Sequence, residues 1–178
     1  QQTGVAQVEV PITAVNYPVK DIEPVDIGLD LSTDFNFVCV AQWGPRKNVQ
    51  NTVNWFIQEF HDDEDVGLVL KVFHMNTSNM DRVFVKQQLE GMLEEYPDRK
   101  CKIHLLHGHM TEQELHSLYL HPKIKGLLTL THGEGFGLPL FEAAYNGMPV
   151  MAPDWSGQVD FLYKPVKNSK GKEKNKAM

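Results

Sequence analysis

The sequence predicts an α/β domain in which helices cover both faces of a parallel β-sheet. Three observations predict this fold class. Segments with the pattern of strands alternate with segments with the pattern of helices, which is the order expected of a parallel sheet. The strand segments are continuous apolar runs, typical of strands buried on both faces. The chain of 178 residues, 42% of them apolar, is long enough to bury one such core.

The first half of the chain contains two strand–helix pairs. The first strand segment, 35–42, reads FNFVCVAQ, and the segment 48–60 that follows repeats its apolar residues on one helical face. The second strand segment, 66–73, is followed by a helical segment over 78–96 with the same kind of apolar spacing. Both pairs fit a unit in which the helix packs back on the sheet.

The second half continues the alternation. A third strand, 100–107, precedes Thr111-Glu112-Gln113-Glu114, a capping box that begins a helix. A fourth strand, 124–131, precedes a helix over 139–146, which Gly147 ends. A short fifth strand is predicted at 148–153. The sequence thus predicts a doubly wound sheet, whose ligands bind in the loops after the carboxyl ends of the strands.

The two ends of the chain lack this pattern. Residues 1–33 contain three prolines and are interpreted as a leading segment or linker, although Val8, Val10 and Ile12 alternate like a short strand. Residues 34–163 form the predicted domain. Residues 164–178 carry six lysines and one glutamate, which predicts a solvated, disordered tail. The first residues lack the basic and apolar regions of a signal peptide, and the absence of an initial Met predicts a piece of a longer protein.

Composition and charge argue against several classes of function. The formal net charge is −6, and because the lysine-rich tail carries +5, the remaining residues carry −11. An acidic body argues against nucleic-acid binding, which relies on basic surface. No apolar run approaches the roughly 20 residues of a transmembrane segment. Cys39 and Cys101 lie in apolar runs without a CxxC pattern, so we expect reduced thiols in a cytoplasmic protein.

A glycine-rich loop, Gly133-Glu134-Gly135-Phe136-Gly137, connects the fourth strand to its helix. Glycines allow a ligand to approach the backbone, and the N-terminus of the following helix favours an anion. Glu134 would repel a bare phosphate, so the ligand is expected to carry phosphate for the amides and hydroxyl groups for carboxylates. The alternative is ordinary turn chemistry, in which glycine is needed only where φ is positive.

The stretch GEGFGLPLFEAAYNGMPV closely resembles the E-x7-E signature of GT-B-type retaining glycosyltransferases, usually EGFGLP-x-x-E-A-x-x-x-G-x-P-V. The segments FVCVAQWGPRKN, LLHGHMTEQELHSLY and LLTLTHGEGFG resemble other parts of that family, so the resemblance covers about residues 35–162. It implies a Rossmann-like doubly wound parallel sheet, one half of a GT-B fold. It also implies that 34–163 is the C-terminal domain that binds a nucleotide-sugar.

The resemblance also implies two catalytic residues. Glu134 would face the hydroxyl groups of the donor sugar near the reaction centre, and Lys47 would stabilise the charge that develops on the leaving diphosphate. Glu142 would bind the ribose, since a carboxylate can accept from two adjacent hydroxyls.

Further donor-binding residues follow from the same resemblance. Gly135 would let the donor lie against the backbone, and the N–H groups of Phe136, Gly137 and Leu138 would bind the sugar or the distal phosphate. The chain departs from the family where Ala41-Gln42 replaces the usual Gly-Arg. Gln42 donates hydrogen bonds but carries no charge. Arg46 is the candidate replacement; the alternative is an exposed loop arginine.

The resulting hypothesis is the donor-binding domain of a glycosyltransferase that uses a nucleotide-diphosphate sugar with retention. No cofactor and no metal are expected, because transferases of this resemblance need no bound metal and the histidines near 104–109 lack a completing ligand. The partners would be the donor, an unknown acceptor and an N-terminal acceptor domain, without which the fragment would be inactive. The alternatives are a sugar-nucleotide epimerase, a glycan phosphorylase, and a non-catalytic nucleotide-sugar-binding or interaction module.

Overall fold

A computed structural model of the chain describes residues 11, 13, 15, 17–167, 169 and 171–177. Its centre is a five-stranded sheet whose strands are all parallel and lie in the order β3-β2-β1-β4-β5. The strands are β1 Phe35–Gln42, β2 Val66–Phe73, β3 Lys102–Leu106, β4 Ile124–Leu128 and β5 Val150–Met151. The helices are α1 Val49–Phe60, α2 Asn79–Leu93, α3 Glu112–Tyr119, α4 Leu138–Tyr145 and α5 Val159–Leu162.

The five strands and four helices predicted between residues 34 and 163 are confirmed. Burial is greatest in β2, whereas the edge strand β3 has no buried residue. Every residue of β2 except Phe73 is buried. The strands β3, β4 and β5 are shorter than predicted: β3 and β5 are shorter at both ends, and β4 ends three residues earlier. The chain crosses from β3 at one edge to β4 on the other side of β1. A crevice at the carboxyl ends of β1 and β4 therefore marks the switch point of the sheet.

Helices cover both faces of the sheet. On one face α1 and α2 enclose a cluster of buried residues that includes Val53, Phe56, Leu70, Val85 and Leu89. On the other face α3 and α4 enclose a second cluster that includes Val38, Val69, Leu118, Leu127 and Leu140. Cys39 and Cys101 are buried free thiols, and burial raises the pKa of Cys39 to about 12.

The helix ends are those that the sequence predicts. Thr111 forms a full capping box with Glu114 at the start of α3. Gly147 follows α4 with a φ of 75°, the left-handed conformation expected of a glycine after a helix. The predicted helix over 139–146 lies one residue earlier, and Pro139 is its second residue.

The segment before β1 is bound to the domain. Ile27, Leu29 and Leu31 pack on the α3–α4 cluster, and the N–H of Val25 donates to Ser117 Oγ at 2.8 Å. The predicted linker is thus docked over its last residues, where apolar side chains alternate. The short strand predicted from Val8, Val10 and Ile12 lies outside the described residues.

The lysine-rich end differs from the prediction of disorder over 164–178. Strand β6, Tyr163–Lys167, pairs with β7, Glu173–Ala177, in an antiparallel hairpin. The physical reason is that backbone pairing satisfies the N–H and C=O groups while the exposed lysines of β6 remain in solvent. Asn168, Lys170 and Met178 lie outside the described residues. In the described ranges, no helix combines the length and apolar character that crossing a membrane requires.

Candidate functional site

Two loops meet at the switch point of the sheet. The loop after β1 and the loop after β4 are joined by a hydrogen bond from the N–H of His132 to Arg46 O at 2.8 Å. Asn48 Nδ2 adds a hydrogen bond to Leu130 O at 2.9 Å, and Thr131 Oγ1 another to Arg46 O at 3.2 Å. These contacts hold the loop that contains Arg46 and Lys47 against the glycine-rich loop.

The two predicted catalytic residues are in direct contact. Lys47 Nζ lies 2.6 Å from Glu134 Oε1 and 2.7 Å from Oε2. The Lys47 side chain is 15% exposed and that of Glu134 is 7% exposed. Lys47 ends the 3-10 turn Pro45–Lys47, after which Asn48 turns the chain into α1 with a φ of 53°. Glu134 is held by Ser156, whose Oγ accepts from its N–H at 2.9 Å.

This ion pair changes the electrostatics that the sequence suggests. The expected repulsion between Glu134 and a phosphate is cancelled by the ammonium of Lys47, which contacts both carboxylate oxygens. Lys47 has three N–H donors, so one ammonium can bind the carboxylate and a further anion. The arrangement can therefore accept a ligand that bears both a negative charge and hydroxyl groups.

Arg46 lies beside this pair. Its Nη1 donates to Gly133 O at 2.7 Å and lies 3.5 Å from Glu134 Oε2. With His132, Gly135 and Ser156 it lines an open cavity of about 400 Å³. The Arg46 side chain is 59% exposed, so its charge is accessible to a ligand as well as bound to the loop.

Gln42 lines a different part of the crevice. Its Nε2 donates to His74 O at 2.8 Å. It shares a cavity of about 370 Å³ with Lys47, Lys71 and Gly108. The side-chain amide of Gln42 thus joins the end of β1 to the residue that follows β2. Gln42 contributes no charge to the cavity wall.

The glycines of the loop have different roles. A Cβ added at Gly135 would have no heavy atom within 4 Å. The space on that side of the backbone is therefore open to a ligand. Gly137 has φ 93° and ψ 52°, a left-handed conformation that the turn into α4 requires. A Cβ there would lie 3.5 Å from Gln158 Cβ, an ordinary contact. At Gly137 the alternative of ordinary turn chemistry therefore accounts for the glycine, because its backbone conformation itself favours glycine.

Phe136 and Leu138 place the start of α4. The Phe136 ring packs against Tyr17, with ring centroids 5.2 Å apart, and against Phe161 at 5.0 Å. This packing holds the residue before Gly137 against the docked segment and α5. Leu138 is the first residue of α4, and the N–H groups of a first helical turn have no intrahelical acceptors.

Glu142 lies apart from Glu134. Its Oε2 accepts from Tyr119 Oη at 3.2 Å, and it lines a cavity of about 150 Å³ with residues of the docked segment, including Tyr17 and Lys20. Burial raises the pKa of the Glu142 carboxyl, and the hydrogen bond from Tyr119 opposes this shift. The structure thus brings together the residues of the two loops but leaves Glu142 in a neighbouring cavity.

Sequence reasoning missed a buried pair at the ends of β2 and β3. Asp81 accepts from His107 Nε2 at 2.8 Å and from the N–H groups of His74 and Met75 at 2.9 and 2.7 Å. Burial opposes ionisation of Asp81, but these hydrogen bonds hold the pKa of its carboxyl well below the usual range. Asp81 is the third residue of α2, three positions after the capping residue Ser78. An acidic residue at this distance from a capping serine is the sequence pattern that could have indicated Asp81.

Sequence reasoning also missed Lys71, the charged residue in the apolar run VGLVLKVF. It is 9% exposed, and its Nζ donates to Gly108 O. Burial lowers its pKa, and the charge of Glu114 opposes this. Within the described ranges, no three His, Cys, Asp or Glu side chains are grouped so that they could hold a metal ion.

No family model matches this sequence, and neither does any curated protein. Solved structures do match its fold. The C-terminal domain of a glycosyl transferase group 1 family protein, LpcC, from Francisella tularensis matches with a TM-score of 0.54 and 22% identity, over 67% of this chain and 58% of that chain. A structure of OtsA without ligand matches with a TM-score of 0.56 and 14% identity, over 74% of this chain and 32% of that chain.

A third match is the catalytic domain of starch synthase IV from Arabidopsis thaliana, a structure bound to ADP and acarbose. It has a TM-score of 0.53 and 16% identity, over 80% of this chain and 27% of that chain. The chain is therefore similar to less than two thirds of each of these proteins. At these identities the likeness concerns the fold, and it confirms the predicted fold class: a Rossmann-like parallel sheet like that of glycosyltransferase C-terminal domains, one half of a GT-B fold.

Proposed function

We propose that this chain is the donor-binding domain of a glycosyltransferase and binds a nucleotide-diphosphate sugar. The observation that carries the proposal is the contact between Lys47, in the loop after β1, and Glu134, in the glycine-rich loop, at the switch point of the sheet. A cation, a carboxylate and helix N–H groups meet there, which is a set of groups that suits a sugar linked to a diphosphate. The fold shared with glycosyltransferase domains supports the same class.

In the proposed mechanism the chain orients the donor and stabilises the leaving group. The ammonium of Lys47 donates hydrogen bonds both to Glu134 and to the diphosphate. Its positive charge therefore lies beside the leaving diphosphate, on which negative charge develops. Glu134 holds the ammonium in place and accepts hydrogen bonds from the sugar hydroxyls. The N–H groups around Phe136, Gly137 and Leu138 bind the sugar or the distal phosphate, and Arg46 adds a second positive charge. We further propose that transfer retains the configuration of the sugar.

Glu142 is proposed to bind the ribose. Its carboxylate already accepts one hydroxyl hydrogen bond, from Tyr119, which supports a role in binding hydroxyl groups. The cavity that it lines is bordered by α3 and by residues 17–22. The ribose would therefore lie along α4, one helical turn from the start of the helix, with the base towards α3.

Catalysis is proposed to need an acceptor-binding domain as a partner. The chain spans 58%, 32% and 27% of the three proteins that its fold resembles. By this proposal the isolated chain binds the donor but does not transfer the sugar. We propose that it acts in the cytoplasm and without a cofactor or a metal ion.

A non-catalytic nucleotide-sugar-binding module is the second candidate. It is favoured by Gln42, whose amide bonds the backbone of His74 at the position where the family resemblance implies a charged arginine. Under this alternative, Gln42→Arg would tighten binding of the diphosphate without producing transfer in a protein that includes an acceptor domain.

Calorimetric titration of the chain with ADP, UDP, GDP and the corresponding nucleosides tests the proposal. We expect at least one diphosphate to bind, and Lys47→Met to weaken it at least about tenfold, as expected for a lost charged hydrogen bond, while nucleoside binding is unchanged. Lys125→Met, at an exposed lysine near the amino end of β4 and so away from the carboxyl ends of the strands, is the matched control. Binding of no diphosphate at millimolar concentration would reject the proposed function.

A further inference from the structure

A lysine is buried inside the central sheet, and none of the carboxylates that the structure describes forms an ion pair with it. Lys71 is 9% exposed, and in the part of the chain that the structure describes its Nζ donates to Gly108 O and forms no ion pair. An ammonium has three N–H donors, and a buried charge is costly when it is incompletely paired. The charge of Glu114 acts on Lys71, but the Glu114 carboxylate is bonded to Thr111.

The position of Lys71 in the sheet directs its charge to the crevice. Lys71 is paired in register with Val40 of β1, two residues before the end of each strand. Its side chain lies on the same face as Val69, which packs in the α3–α4 cluster. With Lys47, Gln42 and Gly108 it lines the cavity of about 370 Å³ at the carboxyl ends of the strands.

The two lysines of this cavity differ in what they bind. Lys47 is held by both oxygens of Glu134, whereas among the described residues Lys71 Nζ donates to one acceptor, the carbonyl oxygen of Gly108. Lys71 contacts the carbonyl of Gly108, and a Cβ added at Gly108 would have no heavy atom within 4 Å. The space beside Gly108 is therefore open. A ligand oxygen in this cavity can therefore reach the remaining N–H groups of Lys71.

We propose that Lys71 is a further donor-binding residue, whose ammonium donates to a phosphate oxygen of the diphosphate and supplies the positive charge that Gln42 does not. The proposal rests on the proposed function, since it assigns a new residue to the same crevice. It goes beyond the family resemblance, which implies cations at the last residue of β1 and in the loop that follows, whereas Lys71 lies in β2.

A structural role for Lys71 makes a different prediction. If the ammonium serves only to hold the Gly108 turn, its removal would alter the loop between β3 and α3. Nucleoside and phosphate ligands would then lose affinity together. If Lys71 binds phosphate, removal of the charge would affect only ligands that carry phosphate.

The test compares Lys71→Met and Lys71→Gln with wild type and with Lys125→Met. Lys71→Met keeps most of the side-chain volume without charge, and Lys71→Gln keeps a donor for Gly108 O. The probes are inorganic pyrophosphate, the diphosphates ADP, UDP and GDP, and their nucleosides, each measured by calorimetry, with melting temperatures recorded in parallel. We expect both Lys71 variants to bind pyrophosphate and diphosphate about 10- to 100-fold more weakly, with unchanged nucleoside affinity.

Each other outcome overturns the inference. Unchanged pyrophosphate affinity in both variants excludes Lys71 from the phosphate site. Equal loss of nucleoside and diphosphate affinity, or loss of folding in both variants, assigns Lys71 to the Gly108 turn. Failure of the proposed function is distinguishable, because in that case wild-type protein binds no diphosphate. Loss of binding in Lys47→Met but not in the Lys71 variants rejects this inference alone.

Discussion

Glu134→Gln is the substitution that most directly perturbs the electrostatics of the crevice. It keeps the shape of the side chain but removes the negative charge that lies 2.6 and 2.7 Å from Lys47 Nζ. At an effective dielectric constant of about 20, two unit charges at such a distance attract by about 6 kcal/mol. Desolvation of the two partly buried groups offsets several kcal/mol of this attraction.

We therefore expect Glu134→Gln to lower the free energy of unfolding by about 1–3 kcal/mol, because an ammonium–carboxylate pair becomes an ammonium–amide hydrogen bond. For a chain of this size that corresponds to a decrease in melting temperature of roughly 3–9 °C. Binding of inorganic pyrophosphate should become about tenfold tighter at low ionic strength, because Lys47 is no longer neutralised. Differential scanning fluorimetry and calorimetry measure the two effects.

Glu90→Gln is the matched control. It removes the carboxylate of an exposed pair, Lys86–Glu90, in which the atoms are 3.4 Å apart. Such pairs contribute about 0–1 kcal/mol, so little change in melting and none in pyrophosphate binding is expected. If Glu134→Gln behaves like this control in both assays, the Lys47–Glu134 pair does not set the charge of the crevice.

Three further predictions concern the loop, the ribose site and the buried pair. Gly135→Ala should leave the melting temperature unchanged and weaken nucleotide-sugar binding at least about tenfold. Gly137→Ala should instead lower the melting temperature, since a positive φ strains alanine. The reverse pattern in thermal melts and titrations would contradict these expectations. Glu142→Gln should weaken a nucleoside diphosphate by about 1–3 kcal/mol and leave pyrophosphate affinity unchanged, and equal loss for both in calorimetry would mean a structural role. The pKa of Asp81 is lower in the folded chain than its unfolded value of about 3.9, so ionised Asp81 stabilises the fold above about pH 3.9 and this stabilisation is lost as pH falls towards the folded pKa. Urea unfolding should therefore show a falling free energy of unfolding from pH 6 to pH 3. The variant Asp81→Asn should be less stable than wild type at pH 6 and should lose less stability on acidification.

The sheet and its helices could be predicted because their signals are local. Apolar runs such as VGLVLKVF and the capping box at Thr111 depend on residues close in sequence. The meeting of Lys47 and Glu134 could be expected at the level of loops, because parallel strands present their carboxyl ends at one edge. Their direct contact could not be predicted, because no local pattern gives the orientation of two side chains 87 residues apart.

Other features depended on contacts between distant segments. Asp81 and His107 become a pair only when β2 and β3 align. Glu142 lies in its own cavity because residues 17–22 fold back over α3 and α4. The hairpin of β6 and β7 could not be read from lysine content, since backbone pairing is compatible with exposed charged side chains.

A crystal structure of the chain with a bound nucleoside diphosphate is the sharpest test of the proposed donor site. We expect diphosphate oxygens about 3 Å from Lys47 Nζ and from N–H groups between Gly135 and Leu138, with the ribose towards Glu142. A diphosphate bound away from the β1 and β4 loops, with the Lys47–Glu134 pair and the glycine-rich loop making no contact with it, would contradict this site.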